Sequence, residues 1–154
     1  MVETLVRHGV RFVLIGGLGA RLRGSPSITN DMDICYARDD DNLDRLAGTL
    51  RELRAKLRGA PDDVPFILDA KTLRAGDHFT FSTRMGPLDC LGTPAGTSGF
   101  DDLDRRATTM EIGSASVRVA SIDDLITMKL AAGRDKDLAE VEILGALRTE
   151  RGES

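Results

Sequence analysis

Hydrophobic residues in this chain come in short runs whose spacing alternates between consecutive, every second, and every third or fourth position. Residues 2–9 predict a short helix, with Leu5 and Val6 apolar and Gly9 as its stop. Residues 11–15 read as a buried strand, because the apolar positions are contiguous and partly β-branched. A helix is expected over 16–22, ended near Gly24, Ser25 and Pro26, and the chain returns as a strand over 28–36. Asp39 to Asp41 open the next helix. Its Leu43, Leu46, Leu50, Leu53 and Leu57 repeat at spacings of three and four and carry one apolar face to about residue 57, where Gly59, Ala60 and Pro61 close it.

A short strand is expected over 64–68 and a turn of helix over 70–73. Residues 78–83 and 87–91 predict a hairpin around Arg84-Met85-Gly86, and the Gly/Thr/Ser loop over 93–99 is long enough to be functional. A short helix over 100–105 is followed by a second hairpin, 108–112 with 116–120, around Gly113-Ser114. Ser121 caps a helix over 122–132 with Asp123 and Asp124 in its first turn, Gly133 breaks it, and 136–147 form the last helix. A strand–helix–strand opening followed by two hairpins points to an α+β fold with a mixed β-sheet flanked by helices.

The length of 154 residues suits one domain, 1–154, with the helices from about residue 121 packing on its core. No apolar run approaches the roughly 20 residues that span a bilayer, so no membrane partner is expected. The opening Met1-Val2-Glu3-Thr4-Leu5-Val6-Arg7 lacks the basic-then-apolar layout of a signal peptide, and a cytoplasmic location is expected. Cys35 and Cys90 make no disulfide framework or metal motif and read as buried thiols. The net charge of −4 argues against nucleic-acid binding driven by overall charge but leaves room for a local basic face. Arg45, Arg51, Arg54, Lys56 and Arg58 fall on one predicted helix, with Arg21 and Arg23 near the glycine pair; a solvated helix face is the simpler reading of this charge.

The chemistry concentrates in Gly16-Gly17 and Asn30-Asp31-Met32-Asp33. Carboxylates two apart on a strand share a face, roughly 6–7 Å apart, and suit one or two small hard cations. A glycine pair after an apolar strand lets phosphate oxygens approach backbone N–H groups at a helix start. Asp89, among apolar residues on a strand, is costly to bury unless it is paired or metal-bound. It reads either as a third acid of the same cluster or as a strand carboxylate in a salt bridge.

The apolar strand, Gly16-Gly17, the helix, Gly24-Ser25-Pro26, Thr29 and Asp31-Met32-Asp33 resemble the nucleotidyltransferase superfamily of the DNA polymerase β type. The runs from Ala120 to Lys129 and from Ala131 to Leu138 are similar to the small AbiEii/MenT-like toxins of bacterial toxin–antitoxin systems. Relatives often carry an Arg-x-Thr-x-Asp-x-Asp pattern; here Thr29 and the acids stand without that arginine. The resemblance implies a nucleotidyltransferase fold and transfer of a nucleoside monophosphate from an NTP, with release of pyrophosphate. It implies that Asp31, Asp33 and Asp89 bind Mg2+, two ions in all, and that Lys129 reaches the phosphates. It further implies that Gly16, Gly17, Ser25 and Thr29 hold the nucleotide, with Lys136 and Asp137 a polar pair beside it. The implied partners are an NTP, tRNA modified at its 3′ end, a cognate antitoxin and a second copy in a homodimer. Two alternatives stay open: a protein or aminoglycoside-like acceptor, and a non-catalytic antitoxin or binding protein of the same fold.

Overall fold

The computed structural model describes residues 1–26, 29–61, 63 and 65–151. Ser27, Ile28 and Val64, the last two being the expected first residues of two strands, lie outside them. In chain order the elements are α1 (Val2–Arg7), β1 (Phe12–Ile15), α2 (Gly16–Leu22), β2 (Met32–Tyr36), α3 (Asp40–Glu52), β3 (Lys56–Leu57) and α4 (Ala70–Ala75). They continue with β4 (His78–Thr83), β5 (Gly86–Leu91), α5 (Phe100–Arg106), β6 (Thr108–Ile112), β7 (Ala115–Val119), α6 (Ile122–Ala132) and α7 (Asp135–Glu150).

Among the described residues the strands form a 7-stranded sheet in the order β3-β4-β5-β2-β1-β7-β6. β2 runs parallel to β5 and β1 parallel to β7; the other neighbours are antiparallel. The fold is therefore α+β with a mixed sheet, as the order of the hydrophobic runs implied.

Strand alternation sorts side chains to two faces. On one face Phe12, Leu14, Ile34, Tyr36, Phe81, Leu88 and Val117 pack with Leu5 of α1, Leu43, Leu46 and Leu50 of α3, and Leu73 of α4. On the other, Val13, Ile15 and Cys35 pack with Leu103 of α5, Leu125 and Ile126 of α6, and Leu144 of α7. This second core takes no residue from β3 or β4, so that half of the sheet is roofed on one side only. Caps fix several helix starts: the side chains of Asp39, Asp69 and Ser121 accept from Asn42 N, Thr72 N and Asp124 N. Arg106 of α5 forks onto Asp124 at 2.9 Å, tying the start of α6 to the sheet edge.

Three expectations are corrected. α3 ends at Glu52 rather than near residue 57, because Arg54 turns left-handed (φ 53°) and redirects the chain into β3. Leu53 and Leu57 keep the apolar spacing, yet Leu53 is the buried C-cap and Leu57 pairs with Phe81 in the sheet. Residues 65–68 are not a strand: Phe66 covers Phe79 and Phe81 edge-on, with centroids 5.9 Å from each, and needs no ladder to do so. Nor do the basic residues share one helix. Arg54, Lys56 and Arg58 follow α3, and Arg23 is buried, donating to the carbonyls of Ala120 at 3.0 Å and Val119 at 3.1 Å.

Both thiols are buried, and burial raises the pKa of each, that of Cys35 to about 12. No helix among the described residues is long and apolar enough to cross a membrane.

Candidate active site

β1 ends at Ile15 and the chain turns at once into α2, so Gly16 and Gly17 lie at the C-terminal end of β1. Ile15 pairs with Asp33 on β2, and Asp33 pairs with Asp89 on the parallel β5. Residues paired in register project to the same face, so Asp33 and Asp89 stand side by side. The face is the one that α6 and α7 cover.

Gly16 adopts φ +66°, a region L side chains rarely occupy, and a Cβ there would fall 2.0 Å from Asp33 Oδ2. Its bareness admits the Asp33 carboxylate against the backbone. Gly17 is crowded in the same way, since a Cβ added to it would lie 3.0 Å from Thr29 Cβ. Thr29 Oγ1 in turn accepts from the backbone N–H of Asp31 at 3.2 Å. Asp31 itself precedes β2 rather than lying on it, and it is exposed.

Two adjoining cavities share Asp33, Asp89, Lys129, Arg134 and Asp137. One, of about 390 Å3, is polar and adds Gly17, Thr29, Asp31, Lys136 and Glu140. The other, of about 320 Å3, is walled by Leu91, Pro94, Ala95, Leu125, Met128 and Ala132, with His78 at its rim. Together they form one cleft with a charged lobe and an apolar lobe.

Asp33 is the electrostatic focus. Its pKa is raised to about 6, first by burial, then by the charge and hydrogen-bonding contact of Asp89, then by the charge of Asp31. Asp33 Oδ1 is buried and has no hydrogen-bond partner among the described residues. An orphaned acceptor beside a second acid fits a small hard cation. Among the described residues no three Asp, Glu, His or Cys side chains converge into a ready-made cage. Asp89 stands beside Asp33 and is at the same time salt-bridged to Arg58 at 2.9 Å.

Opposite the acids, Lys129 from the last turn of α6 and Arg134 from the start of α7 converge on Asp137. Lys129 Nζ lies 3.5 Å from Asp137 Oδ1, and Arg134 Nε donates to Asp137 Oδ2 at 2.6 Å. Asp137 is only 1% exposed, and hydrogen bonding from Arg134 holds its pKa below the usual carboxylate range. It is a fixed counter-ion that aims two cations into the cleft.

Of the residues expected at the site, Gly16, Gly17, Thr29, Asp31, Asp33, Asp89, Lys129, Lys136 and Asp137 meet at this cleft. Ser25 lines neither lobe: it is buried, and its hydroxyl donates to Glu140 at 2.6 Å. Arg134 and Arg58 were not anticipated. Gly133, left-handed at φ +68°, reverses the chain between α6 and α7 and was the signal that its neighbour Arg134 would face Lys129. Nothing in the sequence pairs Arg58 with Asp89, because a helix was expected at that position.

No protein-family model and no curated protein matches the chain. Its fold does match solved structures end to end. Lincomycin-bound LnuA, a lincosamide antibiotic adenylyltransferase, superposes with a TM-score of 0.60 at 14% identity, covering 94% of this chain and 92% of that one. TM1012 from Thermotoga maritima, a proposed nucleotidyltransferase, gives 0.58 at 17% identity over 97% and 88%. ANT(2")-Ia in complex with adenylyl-2"-tobramycin gives 0.55 at 14% identity over 96% and 90%. The chain thus has the fold of the nucleotidyltransferases, with the acid pair and the cation pair facing each other across its cleft.

Proposed function

We propose that the protein is a magnesium-dependent nucleotidyltransferase that moves a nucleoside monophosphate from an NTP to an acceptor hydroxyl and releases pyrophosphate. The observation that carries this is the in-register pair Asp33–Asp89, with Asp33 Oδ1 orphaned, Asp33 Oδ2 against Gly16, and two cations opposite. Asp31, Asp33 and Asp89 would hold the ions. The chemistry Mg2+ would supply there is positive charge that offsets the charge building on the leaving pyrophosphate. Lys129 and Arg134, aimed by Asp137, meet the β- and γ-phosphates, and Lys136 adds charge at the rim. Gly16 and Gly17 let the chain approach the triphosphate closely, and no side chain caps the helix start they form. Asp89, nearest the uncovered half of the sheet, orients the attacking hydroxyl.

For the acceptor we propose the 3′ end of tRNA, which makes the protein a cytoplasmic growth-arresting toxin held in check by a cognate antitoxin. The motifs from Ala120 to Leu138 support this reading. A second reading keeps the chemistry and takes a small antibiotic as acceptor; the likeness to LnuA and ANT(2")-Ia supports it at the level of fold. Incubating purified protein with Mg2+, each α-labelled nucleotide and either total tRNA, tobramycin or lincomycin separates the two. The expected outcome is label in tRNA with wild type and none with an Asp31→Ala/Asp33→Ala double variant. Label in an antibiotic alone would replace the tRNA reading. Nucleotide bound but never consumed, with any acceptor, would make the chain a binding protein.

A further inference from the structure

The cleft continues beyond Asp89 onto a surface that the proposed reaction has not used. β4 pairs with β5 so that Thr80 stands opposite Asp89, Ser82 opposite Pro87 and His78 opposite Leu91. β3 pairs with β4 so that Lys56 stands opposite Ser82, and the backbone N–H of Arg58 donates to Thr80 O at 2.9 Å. Paired residues share a face and alternate residues return to it. Lys56, Arg58, His78, Thr80 and Ser82 therefore lie on the face of Asp33 and Asp89, while Phe79 and Phe81 point to the core on the other side. The reach of Arg58 agrees with that face: its guanidinium donates to Asp89 Oδ1 at 2.9 Å.

Among the described residues, helices α5, α6 and α7 roof this face only over the β1–β2 half. Lys56, Arg58, His78 and Ser82 are exposed, and Thr80 is half-buried. The result is an open shelf of cations, hydroxyls and one imidazole, starting at the third acid and running away from the nucleotide lobe. Among the described residues, β3 and β4 present no apolar side chain on this face, and His78 is its one aromatic ring. The shelf thus suits a ligand read mainly through anionic oxygens and hydroxyls rather than through successive stacked bases.

We propose that this β3–β4 shelf is the acceptor site and that its occupant is an RNA strand, bound through its phosphodiester backbone with the terminal hydroxyl at Asp89. The proposal rests on the nucleotidyltransferase reading and adds to it where the acceptor lies and what its charge is. Lys56 and Arg58 attract successive phosphates, and Thr80 and Ser82 donate to phosphate or ribose oxygens. Lys56 repels a polyamine acceptor such as tobramycin, whereas Arg58 is paired with Asp89, so the selection between the acceptor classes left open above rests on Lys56.

The test is binding of a short fluorescein-labelled single-stranded RNA, read by anisotropy over a series of salt concentrations without nucleotide. Neutralising one phosphate contact should flatten the dependence of log K on log salt by about 0.7. Lys56→Gln is expected to do this, and Ser82→Glu to weaken binding at every salt concentration. Lys71→Gln, which removes an exposed cation from α4 on the opposite layer, is expected to leave the slope unchanged. Both shelf residues are exposed, and circular dichroism checks that each variant is folded. Equal slopes for wild type, Lys56→Gln and Lys71→Gln, or no RNA binding by wild type, would overturn the shelf. Nucleotide transfer is measured separately. Wild type that labels an antibiotic but ignores RNA loses the shelf and keeps the chemistry, whereas RNA binding that depends on Lys56 without nucleotide turnover keeps the surface and removes the reaction.

Discussion

Asp33 shows how a single residue sets the working conditions of the site. Its carboxyl titrates near 6 because it is buried beside Asp89 and Asp31. Cation binding must displace that proton, so Mg2+ affinity should rise about tenfold per pH unit up to about pH 6 and level off above. Calorimetric titration of Mg2+ across that range checks it, with Asp33→Asn as the flat control. The same shift affects stability. A pKa raised from 3.8 to about 6 means the folded protein binds the proton more tightly than the unfolded chain does. The associated stabilisation is complete below about pH 4 and lost as pH rises through about 6. It amounts to about 3 kcal/mol at most, and Asp33→Asn should remove that slope from the metal-free protein. Denaturant unfolding at a series of pH values measures it. At the neighbouring position, Gly16→Ala drives a methyl into the Asp33 carboxylate and strains a left-handed backbone. A loss of about 1–3 kcal/mol in chemical denaturation is expected, together with loss of nucleotide transfer.

At the scale of elements, the α6–α7 corner decides whether the cations face the acids. Ser121 starts α6 and left-handed Gly133 ends it, and one turn later Asp137 holds both Lys129 and Arg134. Asp137→Asn keeps the shape and removes the counter-charge. Its expected effect is a higher KM for NTP with a smaller change in kcat, since it acts by holding Lys129 and Arg134 in place. Steady-state kinetics separate the two. Gly133→Ala should lower stability by about 1 kcal/mol through the backbone alone. α2 and α6 were legible to the residue, because glycines, a serine cap and Ser25-Pro26 punctuate them. α3 was not: Leu53 and Leu57 continue the three-and-four spacing, and burial keeps that spacing after the helix has ended at Glu52. Periodicity reports which residues are covered, and here the cover comes from a C-cap and a strand.

For the whole molecule, the candidate site was legible as far as neighbours in sequence could reveal it. Gly16, Asp31 and Asp33 lie close along the chain, and their meeting at one cleft was expected from spacing. Arg58 depends on a strand after Arg54 that no local pattern encodes, whereas the reversal that places Arg134 is marked in the sequence by Gly133 alone. The position of Ser25 outside both lobes was not legible either, since Glu140, its partner in α7, is 115 residues away. The two halves of the cleft are carried by separate parts of the chain: the acids by the sheet, the cations by the C-terminal helical pair. A ligand bridging them should fasten α7 to the sheet. NTP with Mg2+ at a hundredfold excess over Kd should add about 2.7 kcal/mol to unfolding stability, and thermal melts with and without Asp33→Asn check the requirement for the acid.

Cys35 and Cys90 lie in the central strands, one on each face of the sheet, and neither thiol is exposed. Burial suppresses the thiolate at both, so the native chain should be silent to alkylating reagents. The two sulfurs therefore act as an internal clock. Their labelling in dilute maleimide counts openings of the whole sheet, while a cysteine introduced at exposed Ser82 would react at once. One mass spectrum, resolving one adduct from three, would then report surface chemistry at the shelf and global unfolding on the same molecule.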